Sequence, residues 1–127
     1  MQDEPKPTEI LAAVARFLKD VVAAETTGHT AFNARVAANA LEMMGRQLET
    51  APDAEAAELA RLQQLLGRDG DLNALNTELC ARLKSGELDL QTPGLAEHLW
   101  DVTLAKLAVD QPRYWGYQAA LADRAKT

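Results

Sequence analysis

Residues 30–49 read TAFNARVAANALEMMGRQLE, and this stretch decides the class of fold. Its apolar residues recur at spacings of three and four: Phe32, Val36, Ala40, Met43 and Met44, with Leu41 and Leu48 beside them. That is the period of an α-helix with one broad buried face. The small residues of the stretch allow a neighbouring helix to approach closely. We therefore predict a central helix over residues 30–49, covered by the rest of the chain.

A row of polar side chains runs along the same predicted helix. It consists of Arg35, Asn39, Glu42 and Arg46, in steps of four, three and four residues, which place them on one side. Asn39 borders the apolar stripe, where a buried amide costs stability unless it is hydrogen-bonded. Two interpretations stay open: a solvated face with a Glu42–Arg46 pair, or a site lined by Arg35 and Asn39.

Length and composition favour one helical domain. The chain has 127 residues, a usual size for a single domain. Leucine and alanine outnumber valine and isoleucine, which favours helices over sheets. We predict an all-α, single-domain bundle of five or six helices over residues 8–127, with a mobile N-terminal arm at residues 1–7. The helices at 30–49 and 93–109 are predicted to be central.

Residues typical of helix ends divide the rest of the chain. Thr8 is a candidate N-cap for a first helix over residues 8–24, and Pro52 suits the first turn of a third helix. Asp71 and Gly86 suit the two ends of a fourth helix, and Thr92-Pro93 suits the start of a fifth. The loop between Gly86 and Thr92 is predicted to be ordered, with Leu88 and Leu90 packing inward.

Charge and targeting signals favour the cytosol. The net charge is −6, which disfavours nucleic acid and anionic membrane surfaces as partners. The first residues, MQDEPKPTE, lack the apolar core of a signal peptide, and no apolar run has the length of a membrane span. Cys80 is the only cysteine, so we expect no intrachain disulfide and a small apolar filler in a helix.

Motifs for catalysis and cofactor binding are not found. The chain has no zinc or di-iron spacing and no glycine-rich phosphate loop, so we expect neither a metal nor a cofactor. Its two histidines, His29 and His98, are far apart in sequence, and His98 is predicted on the more polar side of its helix. The catalytic residues, if there are any, stay unknown.

Three polar residues fall on otherwise apolar helix faces, and we predict that they meet. Asn39, Asn76 and Lys106 lie on three different predicted helices, with Arg35 and Asp110 as charged neighbours. In a bundle they can satisfy one another in a buried network, which serves packing specificity or forms a ligand site. For Lys106 alone, a packed stem with a solvated ammonium is the alternative.

The last predicted helix is rich in aromatic residues. Tyr114, Trp115 and Tyr117 are three of the six aromatic side chains in the chain. They either cover the core or form a partner-binding surface.

Four segments carry a resemblance that covers nearly the whole chain: PTEILAAVARFL, FNARVAANALEMMGRQLE, DLNALNTELCARLKSGELD and AKLAVDQPRYWGY. They resemble a family of small all-helical bacterial proteins of unknown function. Residues 35–41 match its RVAANAL-like centre. Lys106, Leu107, Asp110, Pro112 and Tyr114 match its AKLAVDNPxY-like end, where Gln111 replaces the usual asparagine. Members of that family are often encoded beside acyl-CoA dehydrogenases and phosphotransferase-like kinases, which implies an accessory role in acyl-CoA metabolism.

Two functions of different class follow as expectations. The first is a non-enzymatic cytosolic accessory or interaction protein, whose partner is a kinase or dehydrogenase of acyl-CoA metabolism; self-association is left open. The second is a binder of acyl-CoA or another anionic small molecule, or an enzyme, that uses the group Arg35, Asn39, Lys106 and Asp110.

Overall fold

The computed structural model of the chain describes residues 3–126, which contain helices and no strand. The helices are α1 (Pro7–Phe17), a π-helical segment (Leu18–Val22), α2 (Ala23–Glu25), α3 (Gly28–Leu66), α4 (Leu72–Ser85), α5 (Leu95–Asp110) and α6 (Trp115–Arg124). Helix α1, the π-helical segment and α2 follow one another without a break and form one rod. The described residues therefore form five helical rods. The predicted all-α bundle of five or six helices is confirmed. None of these helices is long and apolar enough to cross a membrane.

Helix α1 begins at Pro7, so the prediction of Thr8 as its N-cap is wrong. Proline suits the first helical position because its missing N–H would have no helical acceptor there. The Glu9 carboxylate accepts a hydrogen bond from the Lys6 N–H at 2.8 Å and so closes this end. The domain division at residues 1–7 and 8–127 stays a prediction, and Met1, Gln2 and Thr127 lie outside the described residues.

Helix α3 joins two helices that the sequence predicted to be separate. Pro52 lies inside it instead of starting a third helix. A proline there cannot donate the helical hydrogen bond to the Leu48 carbonyl, and at this position the chain divides into two compact units, one ending at Ala51 and the other beginning at Pro52. We call them the N-terminal unit and the C-terminal unit.

The N-terminal unit is a helical hairpin. A connection at residues 26–27 links α2 to α3, which is short enough to make the two rods antiparallel neighbours. Among residues 3–51 of this unit, those that are buried are all alanines: Ala15, Ala23, Ala31, Ala34 and Ala38. Phe32 and Val36 are 62% and 50% exposed. The prediction that residues 30–49 form the centre of the core is therefore wrong, because two helices share a single seam and here alanines occupy it.

The apolar core lies in the C-terminal unit. It comprises five buried leucines from α3, α4 and α5: Leu62, Leu66, Leu75, Leu79 and Leu95. Partly buried leucines pack around them: Leu59, Leu65, Leu72, Leu83, Leu88 and Leu99. Helix α5 begins at Leu95, two residues later than predicted, because Gly94 takes a left-handed conformation with φ of 82° at its N-cap.

The loop before α5 is held by its own polar groups. The Gln91 N–H donates to Asp89 Oδ1 at 2.8 Å, and the Asp89 N–H donates to Thr92 Oγ1 at 3.1 Å. Leu88 packs on the core as predicted, but Leu90 is 68% exposed, so its inward orientation was predicted wrongly. The hydrogen-bonded turn starting at Asp89 carries Leu90 outward.

Asp71 and Gly86 mark the two ends of α4, as predicted from the sequence. Asp71 caps the first turn by accepting the Ala74 N–H at 2.9 Å. Gly86 ends the helix in a left-handed conformation with φ of 78°, which is strained for residues with a Cβ atom.

Two glycine-to-alanine substitutions should change stability in opposite directions. A Cβ atom at Gly86 or at Gly45 would meet no atom within 4 Å, so both substitutions act through the backbone. We expect Gly86→Ala to lower the free energy of unfolding by about 1–2 kcal/mol, because alanine is strained at positive φ. Gly45→Ala, inside α3, should raise it by about 0.5–1 kcal/mol. Urea unfolding measures the free energy of unfolding of both variants. Changes of the same sign in the two variants would contradict the prediction.

Candidate functional site

Four of the five residues predicted to form a polar network are exposed: Arg35, Asn39, Lys106 and Asp110. The prediction of a buried network is therefore wrong for Asn39 and Lys106, because water satisfies an exposed side chain without a protein partner. Their role as a ligand site stays a prediction.

The polar row on α3 makes a contact across the hairpin. Lys19 Nζ lies 2.7 Å from Glu42 Oε1, so Glu42 pairs with the π-helical segment. Both side chains are about one-third exposed, and such pairs contribute little stability. The contact does, however, place the polar side of α3 next to Lys19.

Asn76 is half-buried and fully engaged at its amide nitrogen. Its Nδ2 atom donates to Glu58 Oε1 at 2.7 Å and to the Leu72 carbonyl at 3.1 Å. The prediction that Asn76 meets Asn39 and Lys106 is wrong for these two bonds: its amide donates to Glu58 of α3, which the sequence did not single out.

His98 is the buried polar residue that the sequence placed wrongly. It is 1% exposed, together with the buried Leu95 and Leu104 of the same helix, and not on the polar side. Its Nδ1 atom is buried without a hydrogen-bond partner among residues 3–126. The spacing of three residues from Leu95 was the available signal, since such residues share a helix face.

The surroundings of His98 favour the neutral imidazole. Burial lowers its pKa from the usual 6.5, and the Arg61 guanidinium lowers it further. The carboxylates of Glu58 and Asp101 act in the opposite direction but do not reverse the shift. Burial dominates because the charged ring would lose its hydration.

Asp101 connects three helices of the C-terminal unit. Its Oδ2 atom lies 3.6 Å from Arg61 Nη1 of α3, and its Oδ1 atom accepts a hydrogen bond from Arg124 Nη2 of α6. Like His98, Arg61 has a buried nitrogen, Nε, without a hydrogen-bond partner in the described part of the chain. We call the following group the His98 cluster: Glu58, Arg61, Asn76, His98, Asp101 and Arg124.

Two clefts border this cluster, and Arg61 lines both. The larger has a volume of about 660 Å³ and lies between α3 and the start of α5, with Gln64, Thr92 and Glu97 in its wall. The smaller, of about 300 Å³, lies between α3, α5 and α6, with Asp101 and Tyr117 in its wall. His98 lines neither cleft.

The chemistry available to the cluster is limited by access. A general acid or base must come within hydrogen-bonding distance of its substrate, and His98 has no surface from which to do so. Among the described residues, no three histidine, cysteine or acidic side chains are grouped as a metal site. The Ser85 hydroxyl donates to the Arg82 carbonyl, and Cys80 is exposed, which corrects its prediction as an apolar filler.

The aromatic residues near α6 divide between surface and cleft. Trp115 is 76% exposed and Tyr114 41% exposed, with ring centroids 5.6 Å apart and planes tilted by 57°. Tyr117 is half-buried in the smaller cleft. The covering role weighed for these rings thus applies to Tyr117 and not to Trp115. The Tyr114 ring lies close to the backbone of Gly116, and a Cβ atom at Gly116 would be only 2.7 Å from that ring.

Residues 24–114 of the chain match a family described as "Domain of unknown function (DUF6285)". This span covers more than half of the sequence and includes the whole His98 cluster except Arg124. No curated protein and no solved structure was found to match the chain.

Proposed function

The chain belongs to the DUF6285 family, whose description names no activity, and we propose that it is a non-enzymatic interaction protein that binds a partner through Trp115 and Tyr114. The exposure of Trp115, 76% of its surface, carries this proposal. A side chain of that size leaves a large apolar area in water, and tryptophan and tyrosine dominate the energetics of protein interfaces.

Contacts within the chain restrain Tyr114 and Trp115 before a partner binds. The tilted contact between the two rings restrains both of them. The Gln118 side chain donates to the Pro112 carbonyl at 2.6 Å, which secures the turn that precedes α6. A surface whose side chains are already ordered loses less entropy on binding. The inaccessibility of His98 supports a binding role over a catalytic one.

The chemistry of the surface indicates the kind of partner. The partner needs an apolar pocket for one indole ring, and a basic rim suits a chain whose net charge is −6. The resemblance to proteins encoded beside acyl-CoA dehydrogenases and phosphotransferase-like kinases makes those enzymes the first candidates. We place the interaction in the cytosol, where an exposed thiol such as that of Cys80 stays reduced.

Substituting Trp115 tests the proposal. Each candidate enzyme is titrated with the wild-type chain, with Trp115→Ala and with Trp100→Ala, and binding is measured by calorimetry. Trp100 is the matched control, since it is 51% exposed on α5. We expect Trp115→Ala to weaken binding by about 2 kcal/mol or more, roughly 30-fold, as for an interface hot spot. Trp100→Ala should retain the affinity of the wild type. Equal losses in both variants, or no binding by the wild type, would contradict the proposal.

A further inference from the structure

Six of the eight exposed large apolar side chains described in the N-terminal unit lie in two rows, and the other two, Phe32 and Val36, lie outside them. On the first rod the row comprises Ile10, Val14, Phe17 and Val21, in steps of four, three and four residues, and these are 37–55% exposed. On α3 the row comprises Leu41, Met44 and Leu48, in steps of three and four. Met44 and Leu48 are 47% and 49% exposed, and Leu41 is half-buried. Each row follows one side of its helix.

The Lys19–Glu42 contact shows that the two rows lie on the same side of the hairpin. Lys19 and Glu42 meet at 2.7 Å, and each follows a buried alanine of the seam, Ala15 or Ala38, by four residues. A step of four residues turns a helix by about 40° beyond a full turn, so both residues border the seam on one face of the antiparallel hairpin. The row residues next to those alanines, Val14 and Leu41, are turned the other way. The apolar rows therefore share the other face, which we call the apolar hairpin face.

The large apolar side chains of this face are not packed in a core within the hairpin. Its buried residues are alanines, and short helices gain most of their stability from packing an amphipathic face. A hairpin with two rows of exposed apolar side chains on one face has the pattern of one half of a four-helix bundle.

We propose that a second copy of this chain covers the apolar hairpin face, so that two N-terminal units form an antiparallel four-helix bundle. The two rows suit an isologous contact, in which the α1 row of each copy packs on the α3 row of its partner. Neither row contains a charged residue, so two chains of net charge −6 can meet at these rows without direct repulsion. The apolar hairpin face belongs to the N-terminal unit and Trp115 to the C-terminal unit, and the dimer does not depend on the proposed function.

The area of the face is adequate for a dimer. Six large side chains that are about half exposed amount to roughly 500 Å² for each copy, so a pair buries about 1,000 Å², the lower bound for a specific interface. The half-buried Leu11 and Leu18 lie beside the first row and, with the half-buried row member Leu41, add to that area.

The oligomeric state of the full chain tests the proposal first. Sedimentation equilibrium at micromolar concentrations should give twice the chain mass of 13.8 kDa. Val14→Lys combined with Met44→Lys places a charge in each row and should weaken the dimer at least ~100-fold, since buried unpaired charges are strongly disfavoured. The matched control, Asn39→Lys on the polar side, should leave the dimer unchanged.

A thiol-protection measurement keeps the test informative if the double variant does not fold. In a Cys80→Ser background, Leu48→Cys should react with an alkylating reagent more slowly as the protein concentration rises. Asn39→Cys should react at one rate throughout. A wild-type chain that is monomeric at ~100 μM overturns the proposal. A dimer in which Asn39→Cys is protected and Leu48→Cys is not also overturns it. So does a Leu48→Cys thiol that reacts as fast as the Asn39→Cys thiol at all concentrations.

The two proposals can fail separately. A monomeric chain that still loses its partner on Trp115→Ala would leave the proposed function standing without the dimer. A dimer that binds none of the candidate enzymes would leave the dimer standing without that function.

Discussion

Leu62→Ala should lower the free energy of unfolding of the C-terminal unit by about 2–5 kcal/mol. Leu62 is 0% exposed and lies in the cluster that joins α3, α4 and α5. Removing its side-chain carbons loses their transfer free energy and leaves a cavity that the surrounding leucines fill only in part. Urea unfolding followed by circular dichroism measures the change.

Leu90→Ala is the matched control, since it is the same substitution in the same unit. Leu90 is 68% exposed, so the change should stay within about 0.5 kcal/mol. Similar losses for the two variants would contradict the position of the core described here.

The stability of the C-terminal unit should fall on acidification because of His98. Its pKa is lowered in the folded chain, through burial first and Arg61 second, so below about pH 6.5 the unfolded chain binds more protons than the folded one. The full contribution of the neutral ring is present above pH 6.5 and is lost as the pH falls towards the folded-state pKa. One such group changes the free energy of unfolding by at most about 1.4 kcal/mol per pH unit.

His98→Gln should reduce this pH dependence. The free energy of unfolding is measured from pH 7.5 to pH 5 for the wild type, for His98→Gln and for His29→Gln. His29 is exposed, so His29→Gln is the matched control, in which a histidine is removed from the surface instead of the core. An unchanged slope in His98→Gln would show that other groups cause the acid sensitivity.

Much of the secondary structure was predictable because it depends on local chemistry. The Asp71 cap and the Gly86 terminator are satisfied within one turn of α4, so their neighbours in sequence are sufficient to place them. Pro52 misled the prediction for the opposite reason. Proline is favourable at a helix start and costly inside a helix, and only the remaining contacts of α3 decide which position it occupies.

The candidate site was less predictable, because burial is a property of several helices at once. Asn76 was singled out correctly as a polar residue among leucines, but its partner Glu58 lies 18 residues away on another helix. His98 was placed wrongly since its neighbour Glu97 suggested a polar side. In the fold, His98 itself is buried and faces the charged groups Glu58 and Arg61 of α3.

The sequence by itself determined the helical class of this protein, most of its helix ends and the side of each helix that carries apolar residues. These follow from backbone propensity and from the 3.6-residue period, which act within single helices. Only the tertiary structure decided which apolar sides meet. It buries five leucines of the C-terminal unit, Leu62, Leu66, Leu75, Leu79 and Leu95. It leaves Phe32, Val36, Met44 and Leu48 of the 30–49 stripe exposed, because a hairpin has one seam and alanines fill it.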